Sequence, residues 1–196
     1  AHGRPAGRAG AMADGGVRRL ACLVQTYAWG KPGAGSMVGR LKLGNDTACG
    51  GTGFALEDAT PYAELWVGAH PNGPSEVQPS CAEETPRTLE AHLRGTPGCL
   101  GPCPGELTLE GAMALPYLLK VLSVNKALSI QAHPDRGLAA SLHASRPSVY
   151  KDPNHKPELA IALTDFEALC GFRPLPDIVT ALRGYPELAR LVGPDA

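Results

Sequence analysis

Twenty-four glycines and nineteen prolines stand along this 196-residue chain as punctuation between short apolar runs. Glycine and proline together mark turns, and proline cannot donate to a ladder. The residues between turns therefore predict many short strands, which indicates an all-β sandwich or barrel. The length is enough for one good core or two small ones.

Charge and cysteine usage narrow the function. Eighteen basic residues face nineteen acidic ones, with no basic block to track a phosphate backbone, so nucleic acid is not an expected partner. The apolar runs are too short and too broken to span a bilayer, and no membrane partner is expected. The opening stretch, AHGRPAGRAGAMADGGVRR, has no apolar h-region and is not a secretory signal. Residues 1–16 read as a disordered leader, with Met12 a candidate start. Cys22, Cys49, Cys81, Cys99, Cys103 and Cys170 form no CxxC pair. The nearest approach to a metal knuckle, CLGPC at 99–103, has no second pair and no nearby His, so the cysteines read as free thiols of a cytoplasmic protein.

Residues 17–29 read as a strand pair or one bent strand. GKPGAGSMVGRL, 30–41, is a Gly-rich loop without the Gly-Lys-Ser/Thr of a phosphate-binding loop, and no clear helix follows it. PYAELWV, from 61, alternates around Ala63, Leu65 and Val67 before the turn cluster HPNGP. RTLEAHLRG, 87–95, is a short helix, and 99–116 is a Gly/Pro-rich loop. LPYLLKVLSVNKALSIQAHPD, 115–135, reads as strands, with Lys120 a cation among residues that favour burial. PDRGLAASLHAS, 134–145, is a helix or helical turn. Leu159 to Leu163 reads as a further strand. Beyond Pro174 the apolar period becomes helical, with Ile178, Leu182, Leu188 and Leu191 on helix faces.

KALSIQAHPD, 126–135, carries the chemistry. On a strand, residues two apart share a face, so Ser129, Gln131 and His133 project together. A buried polar group without a partner costs about 1–3 kcal/mol, and a metal ion would satisfy the amide and the imidazole at once. Imidazole suits zinc, and a neutral amide oxygen leaves the ion strongly Lewis acidic. Glu158, in HKPELAIAL, is the candidate third donor. Spacing alone favours a plainer reading: a turn-side Gln, a hydrogen-bonded core His and a surface Glu. Lys120 has an equally plain alternative as a snorkelling lysine, Lys156 as an exposed turn lysine, and His155 as a turn His.

YAWGKPGAGSMVGRL (27–41), YAELWVGAHPNGPSEV (62–77), LPYLLKVLSVNKALSIQAHPD (115–135) and YKDPNHKPELAIALTDFEALCGF (150–172) resemble, in order, the signature segments of the type I mannose-6-phosphate isomerases. These are zinc enzymes of the cupin superfamily. The resemblance implies a mainly β fold, an incomplete cupin or jelly-roll barrel over 17–172, followed by the beginning of a helical domain at 173–196. It implies one Zn2+ per chain held by Gln131, His133 and Glu158. It places Trp29, Glu64 and Ser129 on the substrate and gives Lys120 and Lys156 to catalysis. The implied substrates are mannose 6-phosphate and fructose 6-phosphate. No segment here matches the one that carries the family's fourth zinc ligand, a His, and an active-site Arg. The chain resembles the amino-terminal half of the enzyme, and weak or absent activity is expected of it. The competing reading is a non-catalytic cupin-type module that binds sugar or protein.

Overall fold

The computed structural model describes residues 17–51, 53–79, 84–100 and 115–193. The leader expected at 1–16 and residues 101–114 of the Gly/Pro-rich loop lie outside them. The chain divides into two compact units, Ala1–Ile130 and Gln131–Ala196.

In the first unit, β1 (Leu20–Ala21) and β2 (Leu23–Gln25) are followed by β3 (Lys31–Pro32) and the helix α1 (Met37–Ala48). Next come β4 (Pro61–Tyr62), β5 (Glu64–Val67), β6 (Glu76–Val77), β7 (Arg87–Thr88), α2 (Leu89–Gly95) and β8 (Leu119–Leu122). The strands pair in three antiparallel sheets, β1–β6–β7, β2–β5–β8 and β3–β4. In the central sheet Leu23 faces Trp66 and Gln25 faces Glu64 across one edge of β5. Across the other edge Trp66 faces Lys120 and Glu64 faces Leu122.

The period-two rule then sorts this sheet into two faces. Val24, Leu65, Val67 and Val121 share one, and they pack into a core with Cys22, Val38 and Tyr62. Leu23, Gln25, Glu64, Trp66, Lys120 and Leu122 share the other. The core face is the apolar half of the alternation seen in the sequence around Ala63, Leu65 and Val67.

The Gly-rich stretch 30–41, expected as a loop with no clear helix after it, instead runs into α1 from Met37. Ser36 caps the helix: its Oγ accepts from the Gly39 N–H at 3.2 Å and donates to the Tyr62 carbonyl at 2.8 Å. The inner face of α1 escapes a search for apolar periodicity because it is largely polar. Asn45 accepts from the Cys22 N–H at 2.8 Å and donates to the Leu20 carbonyl at 2.7 Å. Lys42 Nζ donates to the Cys22 carbonyl at 2.9 Å, and Asp46 Oδ2 accepts from the Phe54 N–H at 3.2 Å. Asn45 and Lys42 thus serve the backbone where β1 gives way to β2.

The second unit holds α3 (Arg136–Ser145), α4 (Leu175–Gly184) and α5 (Pro186–Val192), as the sequence led one to expect of 134–145 and of the residues after Pro174. Asp135 caps α3 by accepting from the Leu138 N–H at 2.8 Å. Two expected strands are absent. Residues 127–133 and Leu159–Leu163 are irregular, and Leu159, Ile161 and Leu163 are each more than three-quarters exposed. Alternation alone does not make a strand, since a ladder needs a neighbour and none pairs with either segment among the described residues. After β8 the chain leaves its ladder with β5. Gly30 bridges Val124, and the Asn125 and Lys126 N–H groups donate to the Trp29 carbonyl at 2.9 and 3.2 Å.

Candidate functional site

The outer face of the central sheet brings three expected residues into one neighbourhood and adds others. Glu64 and Trp66 stand two apart on β5, so both point to that face. Trp66 Nε1 donates to Glu64 Oε2 at 2.5 Å, and Lys120 Nζ lies 3.2 Å from the same oxygen. The Lys120 side chain is 34% exposed against 9% for Glu64. Lys120 is therefore partnered and half open, neither buried in the core nor stretched away into water.

Trp29 is positioned by its backbone. A Cβ on Gly30 would stand 2.7 Å from the Ala63 backbone, so only glycine lets this strand edge cross so closely. The Trp29 ring stacks on Tyr27 with centroids 5.9 Å apart. Desolvation pushes the Tyr27 phenol up from its usual range, and the Glu64 carboxylate pushes it the same way. Sequence reasoning missed Tyr27, Trp66 and Gln25. Gln25 and Trp66 fall on the Glu64 face by β-register, a signal that exists only once the strands are paired. Ser129 is exposed on the irregular segment after β8.

In the second unit, His133 Nε2 lies 3.8 Å from Glu158 Oε2, although the two stand far apart in the sequence. That separation is too long for a hydrogen bond. Two donors each about 2.0–2.2 Å from one zinc ion can be no more than about 4.4 Å apart, so the pair has the spacing of two ligands around a shared ion. Imidazole nitrogen and carboxylate oxygen are donor types that suit zinc, and the amide of Gln131, two residues before His133, is the expected third. The His133–Glu158 pair fits the metal. Among the described residues no cluster of three or more His, Cys, Asp and Glu side chains gathers, at this pair or elsewhere. The shared strand face expected for Gln131 and His133 is corrected by the irregular backbone there. Lys156 Nζ lies 3.4 Å from Asp152 Oδ2, both on the loop that leads to Glu158.

The sheet thus has one face in the core and the other carrying a carboxylate, an ammonium and an indole, polar groups of the kind that orient a small ligand. The comparisons narrow this class. The model of the phosphomannose isomerase type I catalytic domain matches residues 17–175. The mannose-6-phosphate isomerase of Mus musculus is 45% identical over 94% of this chain and 41% of its own length. That of Schizosaccharomyces pombe is 46% identical over 91% of this chain and 39% of its own. A crystal structure of mannose 6-phosphate isomerase from Salmonella typhimurium, bound to fructose 6-phosphate and zinc, superposes with a TM-score of 0.60 at 32% identity. That match covers 85% of this chain and 40% of the other. The apo form from the same organism gives a TM-score of 0.59 at 33% identity, covering 85% and 39%. The chain belongs to the type I phosphomannose isomerase family. It spans about two-fifths of the length of the curated relatives it matches.

Proposed function

We propose that this chain supplies substrate- and metal-binding residues of a zinc-dependent aldose–ketose isomerase that interconverts mannose 6-phosphate and fructose 6-phosphate. The observation that carries the reading is the approach of His133 to Glu158 within 3.8 Å, in a chain of this family. The domain that does the work is residues 17–172, a cupin barrel in part, with 173–196 opening a helical domain. The protein is cytoplasmic, and its partner is the phosphosugar.

The reaction moves a proton from C2 to C1 through an enediol, while O1 gains and O2 loses a proton in the direction of the ketose. No electron leaves the sugar, so no redox cofactor enters the balance. Gln131, His133 and Glu158 would hold zinc. When bound, zinc supplies Lewis-acid stabilisation at the sugar oxygens. Lys120 and Lys156 present positive charge to the phosphate or to the developing enediolate, and a grip on the remote phosphate lends binding energy to the reacting carbons. Glu64 and Ser129 hydrogen-bond sugar hydroxyls, and the Trp29 ring offers an apolar wall.

The polypeptide of residues 1–196 made by itself is expected to turn over weakly or not at all. The exposure of Leu159, Ile161 and Leu163, beside the Glu158 donor, supports that expectation. The test is a coupled assay for formation of fructose 6-phosphate from mannose 6-phosphate, run beside calorimetric titration with mannose 6-phosphate on zinc-loaded protein. Binding with slow turnover is the expected result. Binding of the phosphosugar with no turnover in any longer form carrying this sequence would favour the non-catalytic module. Absence of binding would overturn the proposal.

A further inference from the structure

One side chain on the site face has contacts that the proposed reaction does not use. The Trp66 indole N–H and the Lys120 ammonium both meet Glu64 Oε2, at 2.5 and 3.2 Å, and the ammonium also lies 4.8 Å from the Trp66 ring centroid. Carboxylate, indole and ammonium therefore close on one another. A cation is attracted to the face of an indole, and a donor to a carboxylate makes a stronger bond than one to a neutral acceptor.

The indole is only 6% exposed, though it stands on the polar face of the sheet. The turn at 70–73 accounts for that. The Gly73 N–H donates to the His70 carbonyl at 3.0 Å, and the His70 ring meets the indole edge-on at 5.0 Å. A Cβ on Gly73 would stand 2.9 Å from Trp66 Cε3 and 3.2 Å from Gln25 Nε2. Glycine at this position lets the turn close on the ring and hold it against the sheet.

We infer that Trp66 is a positioning residue for the phosphosugar site, one that sets Glu64 and Lys120 as a single pre-formed unit. A free lysine loses rotamer freedom when it grips an anion. Here folding has already restricted the ammonium, so ligand binding orders less. Both contacts fall on Oε2, which leaves the other carboxylate oxygen outside them for a sugar hydroxyl. The inference rests on the isomerase reading for the identity of the ligand, while the clamp itself is a property of the folded chain.

W66F keeps an aromatic ring and deletes the N–H. In the zinc-loaded protein it should weaken mannose 6-phosphate binding about tenfold in calorimetric titration. In an E64A background the same change should cost less than about twofold, because its effect acts through the carboxylate. Equal costs in both backgrounds would make Trp66 a packing residue and overturn the inference. A second readout needs neither turnover nor a stable W66F protein. The chain has two tryptophans, so W29F identifies the Trp66 indole proton by NMR. That resonance should lie downfield and move upfield in E64A. A resonance indifferent to E64A would overturn the clamp, whereas a shifted resonance in a protein that binds no phosphosugar would sink the isomerase reading alone.

Discussion

Lys120 and Cys22 show how a single position takes its meaning from what packs around it. The sequence marks Lys120 as a cation in an apolar run, and the structure explains it through a carboxylate on the next strand. K120M would leave Glu64 with the indole N–H but no counter-charge. We expect a loss of about 1–2 kcal/mol of stability, below the figure for a fully buried pair because the lysine is partly open to water. Urea unfolding of the two proteins would measure it. Cys22 is buried, and that burial raises its thiol pKa despite the opposing effects of Ser75 and Lys42. A raised folded value means the folded state binds the proton more tightly than the unfolded state. Its contribution to stability is complete below the ordinary thiol range and is lost as pH climbs through that range to the folded value. At neutral pH, mass spectrometry after maleimide treatment should find Cys99 and Cys170, both exposed, modified well before Cys22. Trp66 was illegible because an indole in an alternating run reads as core, and only strand pairing shows that it shares a face with Glu64.

At the scale of elements, α1 carries the most instructive difference. Its apolar pattern is weak because Lys42, Asn45 and Asp46 occupy the inner face and satisfy backbone groups of neighbouring segments. The one local signal was Ser36 ahead of the helix. S36A would remove the cap and leave the buried Tyr62 carbonyl without its hydroxyl donor. We expect a loss of about 2 kcal/mol, read by thermal or denaturant unfolding. The helices α2 and α3 were legible because their cues are local: leucines four apart with a closing glycine in one, and Pro-Asp at the head of the other. The stretches 127–133 and 159–163 misled because alternation reports only which side chains would share a face. It says nothing about whether a neighbouring strand is there to accept the backbone hydrogen bonds.

For the molecule as a whole the decisive property is metal retention. Purified protein should hold zinc through gel filtration and release it to a chelator, as followed by elemental analysis. H133A or E158A should each weaken zinc at least about tenfold in equilibrium dialysis, since loss of a direct ligand exceeds the effect of losing a supporting one. Unchanged affinity in both variants would remove them from the metal site. Family membership was legible in the residues themselves, because QAHPD and NHKPE are local strings that survive any question about how they fold. So were the free thiols of Cys22, Cys49, Cys99 and Cys170 and the turn positions, each of which depends on residue type or immediate neighbours. Tertiary structure alone decided which face of β5 packs into the core, that Trp66 and Lys120 converge on one carboxylate oxygen, and that His133 reaches Glu158. These are contacts between residues distant along the chain. Their formation depends on chain closure and on burial of the opposite face, and neither is encoded in spacing.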